Sequence, residues 1–287
     1  METLEAYYWL AKPGIIYGNL LAAAAGFFVA SRGGGLDAAL LLGAAVGIAL
    51  VIASACVANN YIDRDIDKAM ARTRWRASAK GTISVGRGLG FAAILGLAGF
   101  IVLAYFTNLT TFVVGAVGFI DYVVLYTWAK RHSWHGTLVG SISGSAPLAG
   151  GYTAVAGRFD TGALLLFILM ACWQMPHFYA IAIRRLKDYK AAGLPVLPAV
   201  KGMYATKLQM IAYVAAFMVT DILLYALGYF GRLSTVVIGL YGAVWLSSAV
   251  RGLSARDDKL WAKKMFLYSL VFLPALFTVT AIDTWLG

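Results

Sequence analysis

Apolar residues run through this chain in blocks too long for a soluble core. Nine stretches are nearly free of charge: Ile15–Ala30, Leu36–Ala58, Gly88–Tyr105, Thr110–Trp128, Thr137–Ala156, Gly162–Ile183, Leu208–Leu227, Leu233–Val250 and Met265–Trp285. A helix that crosses a bilayer needs about 20 such residues. The connections between them are unequal. Phe106–Leu109 and Gly228–Arg232 are tight, whereas Tyr61–Arg87 and Arg184–Lys207 are long and interleave aromatic and apolar residues with charges. Long connections of that composition are ordered and functional more often than they are disordered. An even number of spans separates the two, so they share a face and can fold over one cavity. The pattern predicts an all-α membrane protein of nine transmembrane helices, organised as a single domain over residues 1–287.

Charge fixes the direction of threading. The chain carries 24 Lys and Arg against 13 Asp and Glu, a net charge of +11. With the N-terminus on the cytoplasmic side, all of the 24 basic residues except Arg32, Arg158 and Arg232 fall in inner segments. Basic residues collect on the cytoplasmic face of membrane proteins. Topology therefore accounts for the positive excess, and no nucleic-acid partner is needed. An apolar fraction of 61% with only 13% charged residues rules out a soluble enzyme or a disulfide scaffold. Cys56 and Cys172 sit inside apolar stretches and read as small core hydrophobes. The opening METLEAYYWLAKPGI lacks a basic start followed by a clean apolar core and a small-residue cleavage site. The first stretch therefore reads as a retained helix, not a cleaved signal peptide.

Candidate chemistry gathers at the inner ends of the spans. In the run Asn59-Asn60-Tyr61-Ile62-Asp63-Arg64-Asp65-Ile66-Asp67, Asn59, Asp63 and Asp67 are spaced i, i+4, i+8. A continuing helix points them from one face. Unpaired carboxylates at a membrane boundary are expensive. They are easier to keep around a hard cation such as Mg²⁺, which binds one or two carboxylates together with substrate phosphates. Asp65 lies off that face and reads as a structural partner for nearby bases. Arg72 and Arg76 follow directly, and guanidinium groups beside a metal site suit a diphosphate. Tyr126 and Lys130 share a face at the inner end of the fourth span. Asp188 is the single acid of the second long loop. Trp173 and His177 share a face around Pro176, which should kink the sixth span. Gly136, Gly140 and Gly144 form a small-residue face for close helix packing. Asp121 and Asp221 lie within spans, and Asp221 reads as hydrogen-bonded packing.

Together these pieces resemble a known family. Asn59…Asp63…Asp67 resembles the acidic signature of the UbiA-type intramembrane prenyltransferases, and Tyr126-x-x-x-Lys130 resembles their YxxxK element. Lys12–Ile15, the NNYIDRDID run, Trp173–Ile183 and Lys187–Pro198 resemble, more narrowly, the heme-farnesylating branch of that superfamily, the heme O synthases. The resemblance implies helices around a central cavity capped by inner loops. It also implies Mg²⁺ as cofactor, farnesyl diphosphate and heme b as substrates, and heme O and diphosphate as products. Asn59, Asp63 and Asp67 would hold Mg²⁺ and diphosphate, with Tyr126 and Lys130 assisting. Arg72, Arg76, Asp188, Trp173 and His177 would contact substrate. The implied setting is a bacterial inner membrane with the active site toward the cytoplasm, and a hand-off of product to heme A synthase or a terminal oxidase. Two departures stand out. Many relatives carry a DxxxD motif after the sixth span where this chain has Asp188 alone, and Asn60 stands where an Asp is usual. Prenylation of an aromatic acid or quinone precursor and, in another class, a transporter are the competing readings.

Overall fold

The computed structural model describes residues 2–286, and among them every regular element is helical. In chain order these are α1 (Glu2–Leu10), α2 (Pro13–Ser31), α3 (Ala38–Ile62), the short α4 (Arg64–Ala69) and α5 (Ala77–Lys80), and α6 (Val85–Phe106). Then come α7 (Leu109–His132), α8 (Gly136–Ala156), α9 (Thr161–Arg184), the short α10 (Leu186–Ala191) and α11 (Leu197–Val200), α12 (Gly202–Ala226), α13 (Arg232–Arg251) and α14 (Asp258–Leu286). The starts of α3, α7 and α9 are set by side-chain caps. Asp37 accepts the Leu40 N–H at 3.0 Å, Asn108 the Thr111 N–H at 3.0 Å, and Asp160 the Ala163 N–H at 3.1 Å. Each satisfies a backbone donor that the first helical turn leaves open.

Eight helices are both long and apolar enough to cross a membrane. The expected fifth span is the exception. The 21-residue α8 is long enough, but its glycines, serines and threonines keep it outside that set. Its position explains its composition. It packs against α2, α3, α7 and α9, so much of its surface meets protein instead of lipid. The contacts reach backbone: a Cβ on Gly26 would overlap the Leu148 carbonyl, and one on Gly151 would overlap the Ala23 carbonyl. Small residues let helix backbones approach in this way. Lipid-facing helices show the opposite pattern. On α6, Ile94, Leu97, Ile101 and Tyr105 recur at helical spacing, and all are highly exposed.

The three glycines at the inner half of α8 each admit a different neighbour. Gly136 lies against the Lys130 backbone, Gly140 against the Tyr126 ring and Gly144 against the Gln174 amide. Gln174 then donates to Ser141 O at 3.3 Å and Ser145 Oγ at 3.1 Å, which stitches α9 to α8. Within α7 the segment Asp121–Tyr126 widens into a π-helical turn, and one oxygen of Asp121 accepts the Ser143 N–H at 3.0 Å. Asp221 departs from the expected hydrogen-bonded packing. It is 1% exposed, and its Oδ1 has no hydrogen-bond partner among the described residues.

Close approach of α2 and α8 generates a prediction. Gly151→Val forces a branched side chain into the α2 backbone and is expected to cost at least about 3 kcal/mol, or to prevent folding. Gly86→Ala, at a position with nothing within 4 Å of the added carbon, should leave the thermal midpoint in detergent unchanged.

Candidate active site

The acidic run behaves as its spacing suggests, with one adjustment. Regular helix stops at Ile62, and Asp63 (φ −92°, ψ 7°) joins α3 to α4. The hydrogen bonds nevertheless carry the register through: Asp63 N–H reaches Asn59 O, and Asp67 N–H reaches Asp63 O, each at 2.9 Å. Asn59, Asp63 and Asp67 are all buried, at 3%, 5% and 4% exposure.

Each of the three meets a cation from a different part of the chain. Lys130 donates to Asp63 Oδ2, and Arg131 lies 3.4 Å from Oδ1. Arg76 donates to both oxygens of Asp67, at 3.0 and 2.8 Å. Lys12 donates to Asn59 Oδ1 at 3.1 Å, while Asn59 Nδ2 donates to Thr127 Oγ1 at 3.0 Å. The Tyr122 and Tyr126 rings stack at 5.5 Å, and the Lys130 ammonium sits 5.0 Å from the Tyr126 ring centroid. Tyr126 and Lys130 thus share one face with the acids. Two carboxylates and an amide oxygen are buried in one register as hard oxygen donors, the kind of ligand that Mg²⁺ prefers. The cations around them suit a bound polyanion.

Lys12 enters the site without having been singled out as a ligand by its sequence context. Among the described residues it is the one non-glycine with positive φ, at 55°, and Pro13 follows it. Left-handed backbone costs a lysine about 1–2 kcal/mol. Such strain persists only where surrounding structure enforces it. Here the conformation turns the side chain inward to Asn59 and, at 3.4 Å, to the Tyr122 hydroxyl. Burial lowers its ammonium pKa to about 8, with Arg76 and Lys130 adding to the fall and Asp63 opposing it. Asn60 holds the same corner from the other side. Its amide donates to Leu10 O at 2.8 Å, and its Oδ1 accepts from Arg76 at 3.3 Å.

Arg72 borders this cluster, its charge acting on Tyr126, and the other expected residues lie apart from it. Arg72 is exposed at the rim and near Tyr189. Burial raises the Tyr189 hydroxyl, and the Arg72 charge opposes that rise. Asp188 pairs with Arg185 at 3.9 Å on its own loop. Trp173 and His177 do share a face, stacking at 5.0 Å, but they turn to α14. Trp173 Nε1 donates to Ser269 O at 3.1 Å, and His177 Nδ1 meets Ser269 Oγ at 2.7 Å. Asp65 is off the buried face, as expected. Its partner is Arg131, 66 positions away, which bonds both carboxylate oxygens at 2.8 Å.

Comparison with known proteins identifies the family and the fold. Residues 19–271 match the UbiA prenyltransferase family. The chain is 48% identical over 281 residues to the protoheme IX farnesyltransferase of Chromohalobacter salexigens, covering 98% of this chain and 95% of that one. Among solved structures, a digeranylgeranylglyceryl phosphate synthase superposes with a TM-score of 0.80 at 18% identity over 99% of both chains. A UbiA homologue from Archaeoglobus fulgidus bound to GPP and Mg²⁺ superposes with a TM-score of 0.72 at 16% identity, over 96% of this chain and 99% of the other.

Asp65 gives a pH prediction. The Arg131 hydrogen bonds hold its carboxyl at about 2, below the ordinary 3.8. A lowered carboxyl pKa stabilises the fold above the ordinary value, and that stabilisation drains as pH falls through the lowered one. The side chain is 64% exposed, so screening limits the pair to under about 1 kcal/mol. Asp65→Asn should therefore melt slightly below wild type at pH 6, and the two curves should converge between pH 4 and 2.

Proposed function

The chain belongs to the UbiA prenyltransferase family, and from that premise we propose that it transfers a farnesyl group from farnesyl diphosphate to the vinyl group of heme b. The products are heme O and diphosphate. The 48% identity to a protoheme IX farnesyltransferase over nearly the whole chain supports this choice of substrates. The observation that carries the site assignment is the burial of Asn59, Asp63 and Asp67 together under Lys12, Arg76 and Lys130. The protein is an integral membrane enzyme with at least eight apolar helices. We place α8 as the fifth of nine spans in one domain, and the acidic corner on the cytoplasmic side of a bacterial inner membrane.

In this reading the farnesyl C1–O bond breaks, and its electron pair leaves with the diphosphate. Asn59, Asp63 and Asp67 would hold Mg²⁺, which neutralises charge developing on the leaving group. Lys12, Lys130 and Arg76 supply fixed positive charge, oriented before the reaction begins. Arg72 extends that field to the rim. The stacked Tyr122 and Tyr126 faces lie beside Lys130, where π density steadies a developing allylic cation. Burial of the corner keeps water from C1 until the new bond forms. The heme vinyl group attacks C1 through its terminal carbon. Water then adds at the carbon next to the ring and loses a proton to solvent, leaving a hydroxyethylfarnesyl substituent.

Two measurements test the assignment. Extracted hemes from cells with and without the chain should differ by heme O on mass spectrometry. In isolated membranes given heme b and farnesyl diphosphate, Asp63→Asn and Asp67→Asn should each lower heme O formation at least about 100-fold. Chelation should stop wild-type turnover, and added Mg²⁺ should restore it. Full activity of Asp63→Asn would remove its metal role. Lys12→Met, which keeps the bulk and removes the charge, should lower the rate about 10- to 100-fold, since a charged hydrogen bond at such a site is worth about 1.5–3 kcal/mol.

A further inference from the structure

A concavity opens beside the short helix α10, away from the acidic corner. Its volume is about 500 Å³, within the range of small-molecule sites. Ile183 and Met203 give it an apolar floor, and Lys187, Lys190, Arg256 and Lys259 ring it. Two acids also line it, but neither serves these cations. Asp257 accepts the backbone N–H groups of Lys259 and Leu260 at 2.9 and 3.0 Å, capping α14. Asp258 is ion-paired with the buried Lys207. Among the described residues, none of the four ringing cations has an ion-pair partner. Four like charges around one hollow repel one another, and an anion shared between them removes that cost.

The surroundings narrow the kind of anion. Roughly two helical turns further along the two helices that frame the hollow, His177 and Trp173 of α9 stack with each other, and His177 lies 5.1 Å from the Phe266 ring of α14. Arg184 covers Phe266 at 4.9 Å. A wall of flat rings below a cationic rim suits a planar, amphipathic molecule with acid groups on one edge. The short helix α10 separates this hollow from the acidic corner. Leu186, Lys187 and Lys190 line the hollow, while Tyr189 of the same helix lies near Arg72.

We propose that the cationic hollow between α9, α10, α12 and α14 binds the two propionates of the heme substrate. This rests on the function proposed above and adds to it a docking direction. Protoheme carries its propionates on one edge and its vinyl groups toward the other, so anchoring the acids at this rim turns the vinyl edge inward.

The test is binding, read separately for each substrate. Purified protein in detergent is titrated with protoheme and with its dimethyl ester, following the Soret band, and with farnesyl diphosphate by calorimetry. Wild type should bind protoheme at least about tenfold more tightly than the ester, the value of one charged contact. Lys187→Gln/Arg256→Gln should bind both hemes equally weakly, keep its affinity for farnesyl diphosphate and keep the wild-type melting temperature. Lys187→Arg/Lys190→Arg should retain the preference. Protoheme affinity unchanged in the glutamine variant overturns the hollow as the propionate site while leaving the proposed function standing. Loss of co-purifying anionic phospholipid with heme affinity unchanged also overturns it, and assigns the hollow to lipid headgroups. Absence of heme binding by wild type overturns the hollow and the heme reading together.

Discussion

Everything at the acidic corner depends on keeping two carboxylates buried between the end of a long apolar helix and the loop that follows it. Asp63 and Asp67 are nearly inaccessible, and stripping either of its partner would leave a buried charge costing about 3–5 kcal/mol. One partner comes from far along the chain, Lys130 on α7, and the other, Arg76, from the loop just after α4. Pairing therefore does more than stabilise. It folds the long loop back onto α4, where Thr73 Oγ1 also donates to Asp67 O, while Tyr61 OH of α3 donates to Ile83 O further along the loop. It also fixes the approach of α7 to α3. A bound diphosphate would find the cations it needs already gathered, with no ordering left to do at binding.

That arrangement needs α7 to sit unusually close to its neighbour. Gly136 and Gly140 allow it, because a side chain at either position would collide with the Lys130 backbone or the Tyr126 ring. The π-helical turn at Asp121–Tyr126 supplies the remaining freedom, shifting the register of Tyr126 and Lys130 relative to the outer half of α7. Such turns insert one extra residue into a helix and recur at functional sites. The low apolarity of α8 follows from the same requirement. A helix that holds others at backbone distance is built from small residues, and one surrounded by protein need not match lipid.

This explains which features were legible in the sequence. Spans that face lipid declared themselves by apolar length, and α6 is the plainest case. The i, i+4, i+8 spacing of Asn59, Asp63 and Asp67 survived even the break in helix geometry at Asp63, because the hydrogen-bond register crosses it. Tyr126 and Lys130, four apart on one helix, were equally readable. What stayed hidden was pairing between distant segments. Nothing local joins Arg131 to Asp65, or Lys12 to Asn59 across 47 positions. The hints for Lys12 were a lone lysine against a proline at the mouth of an apolar stretch and the family resemblance of Lys12–Ile15, and neither named its partner. Trp173 and His177 were correctly placed on a common face, but periodicity cannot say which helix that face meets.

The outcome is a molecule whose two halves differ in chemistry. Around α3 and α7 the buried groups are ionic, and rigid because each ion is held by another. Around α9 and α14 they are aromatic, with Trp173, His177, Phe266 and Phe272 in successive contact. A reaction between a diphosphate ester and a flat aromatic acceptor has reason to separate its partners in this way. Fixed charges that ease departure of a diphosphate would also hold any free water nearby. A carbocation therefore survives only if its other side faces rings that carry π density and exclude water. With α10 between the halves, presenting Tyr189 toward Arg72 and its lysines to the far side, the same short helix touches both environments.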